Sequence, residues 1–200
     1  MNLLQMKSLF HEAVEIIDQF EKIANLDFDQ EWWILCYENQ GHHFLITFRD
    51  EPAAYFNVII NGKVANTHVA YVDDKYRGNH LTEKFYWFLK SRLSIKTIVT
   101  SEYRSTDAIA VTNSLFKTKR FKMFWMKDDI KIPFNPDQTG PDNGSVDQFG
   151  DPVTFYGVME PTGWRIVLEA GDYYVNNPKP MIFKLDVRLL ENSYDLFSEQ

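Results

Sequence analysis

Apolar residues recur at helical spacing in the first stretch of the chain. Phe10, Ala13, Val14, Ile17 and Phe20 lie on one stripe, with Glu12, Glu15, Asp18 and Glu21 among them. The spacing predicts an amphipathic helix from about Leu3 to Ala24 whose stripe faces the core. The pattern then breaks into short apolar runs separated by turn residues. Trp32 to Tyr37 stops at Glu38-Asn39-Gln40-Gly41, His43 to Phe48 at Arg49-Asp50-Glu51-Pro52, and Ala54 to Ile60 at Asn61-Gly62. Asn-Gly is the pair most suited to a tight hairpin, because both central residues of such a turn need positive φ. Val64 to Val72 reads as the returning strand, and the four runs together predict an antiparallel meander.

Helical spacing returns with Leu81, Phe85, Phe88 and Leu89, predicting a helix over about Gly78 to Leu93. Ile95 to Thr100 is β-branched and apolar, so a strand follows. Ser105 or Thr106 can cap another helix reaching Lys119, with Ala108, Val111 and Leu115 on one face. Phe121 to Met126 alternates again. The order is helix, four strands, helix, strand, helix, strand, which is a mixed α/β arrangement. Residues 133–151 are rich in Pro, Gly, Asn and Asp and read as a loop or linker. Beyond it, Val153 to Val158, Trp164 to Leu168 and Met181 to Val187 read as strands that either complete the sheet or form a small β appendage. The expected division is therefore a main domain over 1–130, a linker over 131–151 and a β-rich extension over 152–200.

The 200 residues are 44% hydrophobic and 16% aromatic, enough for one sizeable core. The single cysteine, Cys36, excludes an intramolecular disulfide and a Cys-rich metal site, and its apolar setting reads as a buried, inert thiol. His42, His43 and His68 invite a metal, but adjacent strand residues face opposite sides, so no metal is expected. No apolar run approaches the roughly 20 residues that cross a bilayer, and the N-terminus lacks a secretory pattern. A cytoplasmic protein without a membrane partner is the expectation. Phe85, Tyr86, Trp87 and Phe88 read as core; exposed members of that patch would mark a homodimer interface.

Charge changes the picture. The net charge of −7 is made of −6 over residues 1–72, +7 over 73–127 and −8 over 128–200. A basic middle between acidic flanks suggests an anionic ligand, with a solvated basic face as the other reading. The flanks would repel a long phosphate backbone, so nucleic acid is disfavoured and a compact phosphorylated cofactor fits better.

One segment of that basic middle carries specific chemistry. A strand ending at Val72 turns through Asp73-Asp74-Lys75-Tyr76 and meets Arg77-Gly78-Asn79-His80 where a helix begins. Helix starts leave amides without intrahelical partners and add the positive end of the dipole, so an anion placed there meets several N–H donors. Arg77 can add a full charge, and Gly78 permits close backbone approach. The run Val72 to Leu81 resembles the acetyl-CoA signature of the GNAT superfamily of N-acetyltransferases, in which Tyr-Arg-Gly-x-Gly-hydrophobic opens a helix after a strand. Leu115-Phe116-Lys117-Thr118-Lys119-Arg120-Phe121 is similar to the family's Leu-Tyr-x-Lys-x-Gly-Phe.

The resemblance covers about residues 1–128. It implies a GNAT-like mixed, mainly antiparallel sheet flanked by helices, with a C-terminal β extension. It implies acetyl-CoA as cosubstrate without a metal, and acetyl transfer to an amine of a small-molecule or protein acceptor. Cofactor contacts would fall to Tyr71 and Val72 on the strand edge, to Arg77, Gly78, Asn79, His80, Leu81 and Thr82 in the loop and helix start, and to Lys117 near an outlying phosphate. His68 and Tyr103 are the candidate catalytic groups. The sequence departs from the family pattern in four places. His80 and Thr82 stand where the family has Gly and Gly or Ala, Phe116 where it has the thiolate-protonating tyrosine, and Arg120 where it has Gly. The departures keep a second class of function open, a GNAT-derived binding protein without catalysis.

Overall fold

The computed structural model describes residues 3–26, 31–101, 106–119, 121–127, 130–136, 154–155, 158–159 and 165–170. Helix α1 (Leu3–Glu15) stops well short of Ala24. A 3-10 turn at Ile17–Gln19 is followed by strand β1 (Glu21–Asn25). The apolar stripe misleads here because Phe20 buries in the same layer as Phe10 and Ala13, so helical spacing runs on past the helix. Ala24 and Leu26 then bury in the other layer, which only an extended chain crossing the sheet edge can arrange.

The meander follows as β2 (Trp32–Glu38), β3 (His42–Phe48), β4 (Glu51–Asn61) and β5 (Val64–Val72), all antiparallel. The last hairpin turns one residue later than the Asn-Gly pair suggests. Asn61 pairs with Val64 as the final ladder residue. Gly62 takes the first central position with φ of 57°, the place where a two-residue turn most needs glycine. Pro52 enters β4 opposite Thr47 beside a register shift, and a bulge of this kind tolerates the missing donor.

Helix α2 (Leu81–Arg92), β6 (Thr97–Val99), α3 (Thr106–Thr118) and β7 (Phe121–Lys127) come next, in the expected order. A strand not anticipated, β8 (Ile130–Pro133), pairs with β7 at the sheet edge. Of the later strands, β9 (Thr154–Phe155) and β10 (Val158–Met159) form a separate two-stranded pair. β11 (Arg165–Ala170) enters the main sheet between β6 and β7. The sheet order is β1-β2-β3-β4-β5-β6-β11-β7-β8, and β5 with β6 is its one parallel pair. The strand expected at Met181 to Val187 lies outside the described residues.

Each face of the sheet is covered by its own layer. α1 brings Met6, Phe10 and Ala13 against Leu35, Leu45, Tyr55, Val69 and Tyr71. On the opposite face, Phe85 and Phe88 of α2 pack on Phe44 and Phe56, with Phe56 and Phe85 stacked at 4.1 Å and 16°. Phe85, Tyr86 and Phe88 are buried and Trp87 packs partly against the same core.

A bulge in β5 determines what faces what. Thr67 pairs with Val58 and Val69 with Asn57, leaving His68 as the extra residue. One inserted residue reverses the alternation of a strand. Ala65 therefore belongs to the α2 layer, whereas Val69 and Tyr71 belong to the α1 layer.

Candidate functional site: a cleft where two parallel strands part

β5 and β6 pair over only three positions, Val64 with Thr97, Ala65 with Ile98 and Asn66 with Val99. The chain after β6 then turns to β11, with the Thr100 amide bonded to the Ile166 carbonyl at 2.9 Å. β5 continues beside β4 to Val72. From Thr67 onward its other edge has no strand neighbour among the described residues. A cavity of about 370 Å³ opens at this fork. Ala70 and Val72 of β5, Met123 of β7, and Ile166 and Leu168 of β11 give it an apolar floor, and α3 supplies a wall through Ala108, Val111 and Ser114.

The mouth of the cleft is the β5–α2 loop. Asp73 starts a tight 3-10 turn, its Oδ1 accepting the Lys75 amide at 3.0 Å and its own amide bonding the Ala53 carbonyl at 2.9 Å. Gly78 has φ of 84°, and a Cβ there would meet nothing within 4 Å, so backbone conformation rather than space selects glycine. His80 is the N-cap of α2 and sits in the left-handed region at φ 56° and ψ 30°. The resemblance puts glycine at this position; a histidine there costs about 1–2 kcal/mol of backbone strain. Its side chain makes no capping bond, so the first-turn amides of α2 keep the donor capacity typical of a helix start.

Charges cluster at this mouth. Arg77 Nη2 lies 2.7 Å from Asp74 Oδ1 and its Nη1 2.9 Å from Asp107 Oδ2, linking the loop to the first turn of α3. His80 Nδ1 stands 3.8 Å from Glu83 Oε2, whose side chain is only 7% exposed. Burial, reinforced by Asp73 and Asp74 and opposed by Arg77, pushes the Tyr71 hydroxyl above the usual phenol range. At the closed end, burial pushes Tyr86 up to about 12, with the neighbouring Thr67 hydroxyl acting in the opposite sense. Thr67 Oγ1 is buried without a well-formed hydrogen bond.

The sequence candidates divide accordingly. His68, Tyr71, Val72, Arg77, Gly78, His80, Leu81 and Thr82 all line the cleft, with His68 exposed on the bulge. Asn79 and Lys117 do not line it. The Asn79 amide donates to the Tyr76 carbonyl at 2.9 Å and holds the turn, while Lys117 is exposed elsewhere on α3. Tyr103, with Glu102 beside it, and Arg120 lie outside the described residues. Phe116 turns away from the cleft and packs on Phe134 at 5.4 Å, so the cleft face of α3 presents Ser114 instead. Thr67, Tyr86, Asp107 and Ser114 were not among the candidates. Their only sequence signal was helical phase with Ala108 and Val111 for Asp107 and Ser114, and none marked the bulge that turns Thr67 inward.

Elsewhere, His42 and His43 point apart, as adjacent strand residues must. His42 Nε2 is 3.2 Å from Glu38, whereas His43 pairs through Nδ1 with the Tyr55 hydroxyl at 2.7 Å and donates from Nε2 to the Asn39 carbonyl at 2.8 Å. No group of three potential metal ligands forms among the described residues. No helix there is long and apolar enough to cross a membrane. Burial, with Glu38 and Glu21 nearby, pushes the Cys36 thiol up to about 12, well above the range of a reactive thiolate.

No family model and no curated protein matches the chain. Among solved structures it is similar to a GNAT family acetyltransferase from Elizabethkingia anophelis with acetyl-CoA bound. That match has 13% identity over 66% of this chain and 76% of that one, with a TM-score of 0.38. It is similar to the Campylobacter jejuni N-acetyltransferase PseH at 10% identity over 85% and 92%, TM-score 0.39. A mutant of the SpeG spermidine N-acetyltransferase from Vibrio cholerae matches at 10% over 72% and 71%, TM-score 0.38. The chain is similar to GNAT acetyltransferases. Identities this low leave its chemistry to be read from its own cleft.

Proposed function

We propose that the chain is a GNAT-like N-acyltransferase that moves an acetyl group from acetyl-CoA to an amine of an acceptor. The observation that carries this reading is the parting of β5 and β6 after three paired positions, which opens a cleft that the start of α2 also lines. The groups there suit the ligand. The unpaired β5 edge offers peptide donors and acceptors to an amide-bearing arm, as when an extended ligand adds to a sheet. The apolar floor excludes water from that arm, and the α2 amides with Arg77 offer donors to phosphates.

Acetyl-CoA would supply a thioester-activated acetyl group; the remaining tasks fall to the chain. Attack requires a neutral amine, and His68, exposed on the bulge, is the candidate base. A backbone amide near Tyr71 and Val72 would meet the developing oxyanion. The departing thiolate needs a proton that Phe116 cannot give; of the two α3 hydroxyls lining the cleft, Thr112 donates to the Ala108 carbonyl, so Ser114 is the candidate to relay one from water.

A second reading has an observation of its own in its favour. Asp74 and Asp107 already hold Arg77, and Glu83 sits beside His80, as suits a cleft that binds without catalysing. One experiment separates the two: acetyl-CoA is titrated into the protein, then free thiol release is followed with a panel of primary amines. Binding with amine-dependent thiol release supports the transferase. Binding with no release for any amine supports the binding protein, and no binding removes the transferase and leaves a scaffold that binds some other partner.

A further inference from the structure

The cation of the cleft is already spoken for. Arg77 uses one nitrogen on Asp74, three residues away in its own loop, and the other on Asp107 across the mouth. The two carboxylates differ in what they tie together. Asp74 stabilises the loop locally, whereas Asp107 joins the loop to α3 and so bridges two walls of the cleft. Both pairs are solvent-exposed, with Arg77 at 45% and Asp107 at 57% side-chain exposure, so neither is strong enough to resist exchange. A guanidinium has five donors in a planar fork. It can give Asp107 up to a phosphate while keeping Asp74.

Resting on the acyl-CoA reading above, we propose that Asp107 is an internal competitor for Arg77. It closes a strap across the mouth of the cleft, is displaced when a phosphate-bearing ligand takes the guanidinium, and thereby sets the affinity for that ligand. The remaining charges at the mouth fit this role. Glu83 is withdrawn beside His80, Asp73 is held by the turn it caps, and Asp74 pairs with Arg77 inside the same loop, so Asp107 is the carboxylate whose pairing the ligand changes. Displacement frees α3 from the loop and widens the mouth by side-chain exchange, without refolding either element. A ligand lacking phosphates has no claim on Arg77 and leaves the strap in place.

The test is a double-mutant cycle read by calorimetry with two probes, CoA and phosphate-free pantetheine. Asp107→Asn is expected to tighten CoA by about two- to fivefold, the range of an exposed ion pair, and to leave pantetheine unchanged. Arg77→Ala is expected to weaken CoA by about tenfold or more. In the Arg77→Ala background, Asp107→Asn should change CoA affinity by much less than in the wild type. Weaker or unchanged CoA binding by Asp107→Asn overturns the strap. An equal gain in both backgrounds does so too, because it would be a plain field effect of one carboxylate. Absence of CoA binding by the wild type and by Asp107→Asn alike overturns the acyl-CoA reading itself, a different result from either.

Discussion

Strand β5 contains two different environments in nine residues. Val64 to Asn66 has a strand on each side, β4 on one edge and β6 on the other. Thr67 to Val72 keeps β4 but has no strand partner on the cleft edge among the described residues. In the first half, buried apolar side chains such as Ala65 serve the core. In the second half, Ala70 is exposed and the backbone itself faces a cavity. Over Thr67 to Val72 the backbone groups that point away from β4 have no strand partner among the described residues, so the sheet forgoes hydrogen bonds there that its neighbours make. In the reading proposed above, that edge serves an extended ligand, with a helix start and an apolar floor beside the fork.

The comparison predicts that stability and binding separate along this strand. Phe85→Ala, beneath the meander and stacked on Phe56, should cost about 3–5 kcal/mol of stability in urea denaturation. Ala70→Trp, in the open half, should leave the denaturation midpoint nearly unchanged and abolish CoA binding by filling the cleft. If Ala70→Trp were as destabilising as the core change, the two halves would not differ in kind. A smaller effect is expected at the mouth. His80→Gly relieves a left-handed residue and should raise stability by up to about 1 kcal/mol, with CoA affinity equal or better; a large loss of affinity would make the imidazole a ligand contact.

An effect of pH lies at the other end of α2. Lys90 is part-buried, donates to the Lys96 carbonyl, and burial lowers its pKa to about 8, with Glu169 opposing. The folded state then binds fewer protons than the unfolded state between about pH 8 and the ordinary lysine value of 10.5. This single group therefore makes the protein more stable as pH rises through that window, and its penalty is fully present below about pH 8. Lys90→Met should flatten the rise relative to the wild type in denaturation midpoints compared at pH 7.5 and pH 10.

The elements with a strong local period were legible. The four meander strands, α2, α3 and β7 sit within a few residues of where alternation and helical spacing put them. What failed was governed by contacts distant in sequence. β1 follows α1 because Ala24 and Leu26 find the opposite layer, a fact invisible to a pattern that both a helix and a turn satisfy. β11 belongs between β6 and β7, and no local signal tells a strand which neighbours it joins. At the site, the loop sequence carried its own geometry: positive φ at Gly78 and His80 falls where the resemblance has glycines. The bulge at His68 and the Arg77–Asp107 pair were illegible, since one depends on strand register and the other on a helix residue 30 positions later.

Calorimetric titration of acetyl-CoA into the wild-type protein, with Ala70→Trp as its control, tests the central claim most directly. Saturable one-to-one binding at micromolar affinity that vanishes in Ala70→Trp is the predicted result. No binding, or binding that Ala70→Trp leaves intact, would mean that the fork between β5 and β6 does not hold the acyl donor.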